Sequence, residues 1–368
     1  MSDVVVSLAT RDDDAGIRAL LAESAMPGRI RIRLEREPDY FAGCATMGRF
    51  TQVLVARDRE AIVGVACRAV RTMFVNGARE EIGYLSQLRV HPRYRGRALV
   101  RRGFHKLREL HDDARTRSYI TTIVDGNAEA EGVLVKHPRG AMPRYRFLEK
   151  LITLALSVKR SAAVSAADAT ASRAVAPAPR DATGPNSKDH VEALEFLERH
   201  GSRRNFFPAW NDDFDPRNFV AVHRKGVLAG VAGLWDQSAC KQTVIDGYDG
   251  LLSTARPLYN LAARFTGKAL LPRAGSALQL AYGSFFCVAD EDPGVARDLI
   301  EALLHAASAR GVQYLLLGFA ESDPNLAVAR AFRHVAYPSS IYTVAWDDRD
   351  DLHDRLDSRP RYLELATL

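Results

Sequence analysis

The sequence predicts an α/β (α+β) protein made of two similar halves, each a mixed, mostly antiparallel twisted sheet flanked by helices. Three observations predict it. Strand-like and helix-like segments alternate along the chain. The same order (strand pair, long strand, helix, strand, helix, strand) occurs twice, although the residues barely match. A stretch rich in Ala, Ser and Pro lies between the two runs. The 368 residues are enough for two domains of ordinary size, and 47% hydrophobic with 26% charged residues is an ordinary globular composition. The expected division is a first domain over 1–157, a linker over 158–189 and a second domain over 190–368.

In the first half, Val4–Leu8 reads as a strand, and Asp12–Ser24 as a helix with Ile17, Leu20 and Leu21 on one face. Gln52–Ala56 and Ala61–Met73 read as paired strands around a turn at Asp58–Glu60. Glu81–Val90 reads as a long strand whose alternation places Ile82, Tyr84, Ser86, Leu88 and Val90 on one face. Arg97–His111 is expected to be helical, with Val100, Phe104, Leu107 and His111 at helical spacing. Tyr119–Val124 is a strand, Ala128–Val135 a short helix and Tyr145–Leu156 at least one more strand.

The middle segment has ten alanines between Ser161 and His190 and no aromatic residue, so it has little apolar surface to bury. Beyond it, His190–His200 is helical, and Phe219–His223 and Val227–Trp235 pair around Arg224–Gly226. Ala277–Val288 is a strand, Gly294–Ala309 a helix, Tyr314–Phe319 a strand, Asn325–Phe332 a helix and Ile341–Trp346 a final strand.

No run of about 18 apolar residues occurs, so no membrane span is expected. The opening MSDVVVSLATRDDD has neither a basic nor an apolar region of signal-peptide type. Cys44, Cys67, Cys240 and Cys287 lie far apart without a CxxC, and read as free thiols in a cytoplasmic protein. No His, Cys, Asp and Glu spacing suggests a metal. The net charge of +6 suits an anionic partner.

That charge is concentrated in "LRVHPRYRGRALVRRG", Leu88–Gly103. From Arg89 to Arg108 there are eight Lys or Arg and no Asp or Glu. A strand ending at Pro92 and passing through a Gly-containing loop into a helix exposes backbone N–H groups at the positive end of the helix dipole. Gly96 lets a ligand approach the backbone closely, and Arg93, Arg95 and Arg97 add charge around it. A diphosphate fits such a site. A solvated basic helix face is the bland reading, and nucleic-acid binding ranks low because only Tyr94 and Phe104 interrupt the basic run.

"LRVHPRYRGRAL" resembles the coenzyme-binding motif of the GNAT superfamily of N-acyltransferases, strand–V-x-P-x-x-R-G-x-G-x-G–helix. Arg95-Gly96 match its Arg-Gly, while Ala98 and Val100 stand where its later glycines are. The resemblance implies two GNAT-like domains and acetyl-CoA or another acyl-CoA as co-substrate. The pyrophosphate would lie on Arg95, Gly96, Arg97, Ala98, Leu99 and Val100, and the pantetheine arm would pair with Leu88, Arg89 and Val90. Asn127, in "DGNAEAEGVLVKHPRG", matches the Asn of a second family motif, whose tyrosine falls near Leu134. In the second half Asn325 and Phe332 take those places, but the loop "VADEDPGVA" carries Asp290, Glu291 and Asp292, which would repel a diphosphate. Coenzyme is therefore expected in the first half only.

Acyl transfer to an amine needs a base and an acid. Glu80 and Glu81 are candidate bases, or a solvated strand end; Tyr84 is a candidate acid, or core. Backbone N–H groups near Leu88–Val90 are candidate oxyanion donors. His91 reads as local packing and Cys287 as a buried structural thiol. "RRNFFPAW", Arg203–Trp210, either lines a pocket or caps the core. The expected activity is CoA-dependent transfer of an acetyl or other acyl group to an amine of a small molecule or peptide, by direct attack. The alternatives are a catalytically weak or inactive CoA- or partner-binding regulator, and an N-acyl amino acid synthase charged by an acyl-carrier protein docked on the basic helix. A monomer and a homodimer are both compatible with the sequence.

Overall fold

The structure is a computed structural model that describes residues 4–26, 30–96, 98–136, 142–158, 188–209, 218–266, 271–346 and 352–368. The segment expected to be a linker lies almost wholly outside the described residues. Thirteen strands are present among them: β1 (Val5–Leu8), β2 (Ile30–Glu35), β3 (Phe50–Asp58), β4 (Ala61–Val75), β5 (Ala78–Val90), β6 (Tyr119–Val124), β7 (Arg144–Ser157), β8 (Phe219–Arg224), β9 (Val227–Trp235), β10 (Gln242–Tyr248), β11 (Leu280–Val288), β12 (Tyr314–Ala320) and β13 (His334–Ala345). The helices are α1 (Asp14–Ala22), α2 (Tyr40–Ala45), α3 (Leu99–His111), α4 (Ala128–Ala130), α5 (Lys188–Gly201), α6 (Leu251–Thr266), α7 (Pro293–Ala309), α8 (Asn325–Arg330) and α9 (Leu352–Arg355).

Eleven strands form one mixed, mostly antiparallel sheet in the order β1-β3-β4-β5-β6-β13-β7-β12-β11-β9-β8. The order reads as two mirrored runs meeting at β13 and β7. Position by position, β6 matches β12, β5 matches β11, β4 matches β9 and β3 matches β8. The two central strands are exchanged. β7 pairs with β12 of the second half, and β13 crosses back to pair with β6 of the first. β7 and β13 then pair with each other from His334↔Leu156 to Ala345↔Arg144.

This exchange explains why β13 begins at His334, well before the strand expected at Ile341. The extra residues, Pro338 among them, extend the central seam. Leu154 and Leu156 of β7 are fully buried in the second half's core, with Leu299, Leu303 and Phe319. Ile341 of β13 is buried in the first half's core, with Ile82 and Ile120. Each such side chain contributes about 2 kcal/mol of burial, supplied by the other half's strands.

The periodicity readings carry through locally. Ile17, Leu20 and Leu21 of α1 are buried, as are Phe104 and Leu107 of α3. "RRNFFPAW" is core from Arg204 to Ala209, with Arg203 exposed. Phe206 and Phe207 are buried, Phe206 N donates to Phe74 O, and Phe74 N donates to Phe207 O. The loop thus stitches the second half to β4; Trp210 lies outside the described residues. Three segments that gave no periodic signal are ordered: β2 with α2, β10 with α6, and the turn-rich tail from Leu352 to Leu368. β2 and β10, one from each half, form a separate two-stranded ribbon.

Candidate functional site

β5 and β6 run parallel, but their ladder holds only Gly83↔Tyr119 and Tyr84↔Ile120. Beyond that point β5 runs on to Val90 and β6 to Val124 without pairing to each other, so a gap opens between them. At the mouth of this gap Tyr84 Oη lies 3.0 Å from Thr122 Oγ1.

β5 also carries a bulge. Its register against β4 shifts between Ser86↔Cys67 and Arg89↔Val65, and Gln87 sits at φ +57°. Two residues, Gln87 and Leu88, face the single Ala66, which exchanges the two faces of the strand from there on. The expected single face of Ile82, Tyr84, Ser86, Leu88 and Val90 is therefore broken. Ile82 and Tyr84 pack in the core beneath α1, whereas Leu88 packs with Leu85 beneath α3, and Val90 packs near Leu99. Arg89 turns instead toward the side of Tyr40 and Arg36.

Past β5, His91 starts a short turn over Pro92–Tyr94, its Nδ1 accepting from Arg93 N at 3.3 Å. Gly96 has φ +73°, and nothing lies within 4 Å of where its Cβ would stand, so the loop's backbone is open to an approaching group. Ala98, the N-cap of α3, has φ +57° and no side-chain cap. Left-handed backbone there costs an alanine about 1 kcal/mol, which is the physical reason glycine suits that position. Leu99 is buried with Val4, Ala56 and Val63, while Val100 packs against the separate cluster that holds Leu85 and Phe104. Arg95 is exposed and pairs with Glu129 at 2.9 Å, tying the loop to the turn of Asn127, whose Oδ1 accepts from Ala130 N at 3.1 Å. Leu134 is buried in the core under α3. Arg97 lies outside the described residues.

The second half repeats the scaffold and fills it. The parallel ladder of β11 and β12 ends at Tyr282↔Leu316, and β11 has its own bulge, with Phe285 at φ +52°. Here the tail enters the gap. Glu364 Oε2 accepts from Phe285 N at 2.6 Å and from Tyr362 Oη at 2.8 Å, and Tyr362 Oη accepts from Phe286 N at 3.0 Å. Glu364 Oε1 accepts from Ala366 N at 3.1 Å. Burial pushes the Glu364 carboxyl above its ordinary range. The following loop is self-capped: Asp292 Oδ1 accepts from Gly294 N and Val295 N at the start of α7.

A third feature joins the halves. The ribbon's antiparallel register, with Glu35 opposite Gln242, sets the next residues, Arg36 and Lys241, side by side. Arg36 is 3% exposed; its Nη2 lies 4.0 Å from Met47 Sδ, and Ser86 Oγ donates to the same sulfur at 3.4 Å. Arg71 donates to Met47 O, Thr367 Oγ1 and Thr367 O. Lys241 Nζ donates to Ala366 O at 2.9 Å and Leu368 O at 3.3 Å. Burial, with the Arg36 and Arg71 guanidinium groups, holds the Lys241 ammonium well below the usual lysine range. Nearby, a hydrogen bond from the Cys67 thiol draws Cys44 down to about 7, helped by Arg36 and opposed by burial.

The structure thus brings Leu88, Arg89, Val90, Arg95, Gly96, Ala98, Leu99 and Val100 into one continuous strand, loop and helix start beside the gap, with Asn127 on the facing turn. It does not bring Glu81 there. Glu81 is exposed at the far end of β5, about 20 Å of strand from the bulge, and accepts from Thr72 Oγ1. Glu80 is held by both Nη atoms of Arg355 at 2.6 and 2.7 Å. Burial raises the Tyr84 hydroxyl above its ordinary pKa, so it stays protonated at neutral pH.

No family model and no curated protein matches the sequence. Solved structures do match the backbone. Saccharomyces cerevisiae N-myristoyltransferase with bound myristoyl-CoA superposes with a TM-score of 0.57 at 10% identity, over 93% of this chain and 83% of that one. A second structure of that protein with myristoyl-CoA gives 0.59 at 11%, over 94% and 79%. A GCN5-related N-acetyltransferase from Sphaerobacter thermophilus gives 0.56 at 12%, over 99% and 98%. The chain has the GNAT fold.

Within that GNAT fold, sequence reasoning missed Arg36, Lys241 and Glu364. Arg36 and Lys241 flank short strands of mixed polarity, and their convergence depends on a pairing between distant segments. Glu364 stands in "LEL", where nothing in the local pattern distinguishes a buried carboxyl from a surface one.

Proposed function

We propose that this protein transfers an acyl group from an acyl-CoA to an amine, with the coenzyme held by the first half. The observation that carries this reading is the contrast between the two gaps. The gap between β5 and β6 adjoins an uncapped helix start, an open glycine loop and a run of arginines. The gap between β11 and β12 is filled by Glu364, and its helix is capped by Asp292. The fold neighbours support acyl-CoA as the donor class: the yeast protein is described with myristoyl-CoA bound.

On this reading the pyrophosphate accepts hydrogen bonds from the backbone at Gly96 and at the helix start over Ala98–Val100, with Arg95 beside it. The pantetheine arm lies along Leu88–Val90 in the gap, with Asn127 on the opposite rim. The thioester carbonyl then meets the N–H groups of the bulge, which stabilise the oxyanion as the amine nitrogen adds. The C–N bond forms, the C–S bond breaks, the amine nitrogen passes one proton to solvent water, and the departing thiolate takes one from an acid that solvent then reprotonates. Tyr84, protonated and at the mouth of the gap, is proposed as the donor to sulfur. Acetyl-CoA and longer acyl-CoAs are both proposed donors.

A second reading, acyl-CoA binding without transfer, is favoured by Leu134, which is buried where the family motif has a tyrosine and has no proton to donate. Calorimetric titration of the full chain with acetyl-CoA and with myristoyl-CoA tests both. One site per chain is expected, weakened at least about tenfold by Arg95→Glu. No binding by either coenzyme would sink both readings. Binding with no acylation of any amine offered would select the second.

A further inference from the structure

The rim of the first gap opposite the bulge is fastened by the two exchanged strands. β6 parts from β5 after Tyr84↔Ile120. Its last residues then pair, among the described residues, only with β13, through Thr122↔Ile341, Ile123↔Ser340 and Val124↔Ser339. The chain next turns through Asp125 and Gly126 to Asn127. Gly126 has φ +82°, and nothing lies within 4 Å of where its Cβ would stand, so the turn is open. Asn127 caps α4, its Oδ1 accepting from Ala130 N.

Asp125 ties this turn to the sheet. Its N donates to Pro338 O of β13 at 3.1 Å. Lys150 Nζ of β7 donates to both carboxylate oxygens, Oδ1 at 2.8 Å and Oδ2 at 2.7 Å. Ser340 Oγ of β13 accepts from Lys150 Nζ at 2.8 Å and donates to Asp125 Oδ1 at 3.0 Å, which closes a ring of three side chains. An exposed ion pair contributes little. This one engages both carboxylate oxygens, shares a hydroxyl that is 3% exposed, and reaches across β13.

The neighbouring residue of β7 serves the equivalent turn of the second half. Glu149 Oε2 accepts from Ser322 N at 3.2 Å and from Ser322 Oγ at 2.8 Å, and Lys150 O accepts from Glu321 N at 2.8 Å, just past β12. One strand therefore sets the rims of both gaps. Glu364 fills the gap beside the second rim. Beside the first lies the path assigned above to the pantetheine arm.

We propose that Lys150 and Ser340 are positioning residues for the coenzyme. Acting through Asp125, they set the width of the gap and so the grip of the Gly126–Asn127 turn on the pantetheine arm. This rests on the acyl-CoA reading for the identity of the ligand. The phosphates belong to the other rim. The Arg95–Glu129 pair links the rims, but both side chains are more than half exposed, so it transmits little. The two parts of the coenzyme thus depend differently on the ring. The second half, through β13, shapes a site whose ligand it does not hold.

The test is calorimetric titration of the full chain with acetyl-CoA and, separately, with the nucleotide part of CoA alone, its phosphorylated adenosine diphosphate without pantetheine. Lys150→Met should weaken acetyl-CoA about tenfold and leave the nucleotide part within about twofold of the wild type. Ser340→Ala keeps the Lys150–Asp125 pair and should show the same selectivity at about threefold; it carries the test if Lys150→Met does not fold. Equal weakening of both ligands would make the ring a structural brace only. Unchanged affinity for both, or a wild type that binds the nucleotide part as tightly as acetyl-CoA, would mean that the turn does not grip the pantetheine. Each of these results overturns the proposal and leaves coenzyme binding standing. A wild type that binds neither ligand removes the acyl-CoA reading, and this proposal with it.

Discussion

The two halves share a scaffold and use it in opposite ways. Both contain a parallel strand pair that separates after two or three residues, and both bulge at the residue where the separation begins to matter, Gln87 in β5 and Phe285 in β11. In the second half a carboxyl group from the tail takes the buried N–H of Phe285, and Asp292 takes the first N–H groups of α7. In the first half the helix begins at Ala98 with no side-chain cap. The second half shows what a satisfied version of this scaffold looks like. Buried or dipole-aligned backbone donors are costly to leave unmet, which is why the proposal places the coenzyme at the first half's open equivalents.

This contrast can be broken from either side. The largest effect is expected in the plugged gap. Glu364→Ala leaves Phe285 N, Ala366 N and Tyr362 Oη without their acceptor, at a cost of about 4 kcal/mol in denaturant unfolding. It should still give no second coenzyme site by calorimetry, because Asp290, Glu291 and Asp292 remain. A stoichiometry of two would show that the plug alone excludes coenzyme.

Next comes transplantation of the cap. Ala98→Asp puts the second half's device on the first half's helix. Aspartate tolerates left-handed backbone, so the fold should be unaffected, while acyl-CoA affinity falls about a hundredfold, or about 2.7 kcal/mol. Unchanged affinity would remove α3 from the phosphate site.

Asp292→Ala should cost only about 1 kcal/mol, the usual worth of an N-cap, visible as a shifted midpoint with an unchanged slope. A loss several times larger would mean that Asp292 does more than cap.

The smallest effect is a pH dependence. Burial holds the folded-state pKa of Glu364 above its ordinary 4.5. The folded protein therefore keeps a proton that the unfolded chain releases. The stability this contributes is full below about pH 4.5 and is lost as pH rises through the folded pKa. Glu364→Gln, which can still accept from Phe285 N, should flatten that slope when melting temperatures are compared across about pH 4 to 8. A variant with the wild-type slope would place the dependence elsewhere.

Much of this was legible in residue order. Ile17, Leu20 and Leu21, or Phe104 and Leu107, identify their helices because a 3.6-residue period survives any packing partner. The loop from Arg95 to Val100 stands out in the sequence because the anion capture proposed for it needs glycine and free N–H groups in consecutive residues. The opposite case is β5, where alternation alone puts Leu88 with Tyr84. One extra residue reverses this, and nothing in "SQLRV" marks Gln87 as the residue in left-handed conformation.

The sequence by itself therefore determined most of the elements, their repeated order and the contrast between a basic loop and an acidic one, since these are properties of contiguous residues. Tertiary structure alone decided three things. It exchanged β7 and β13 between the halves, turned Arg89 toward Arg36, and set Arg36 beside Lys241 while sending Glu364 into the second gap. Each depends on which distant strands pair and in what register. That choice is made by the burial and hydrogen bonding of the whole sheet, and no local stretch of the chain contains it.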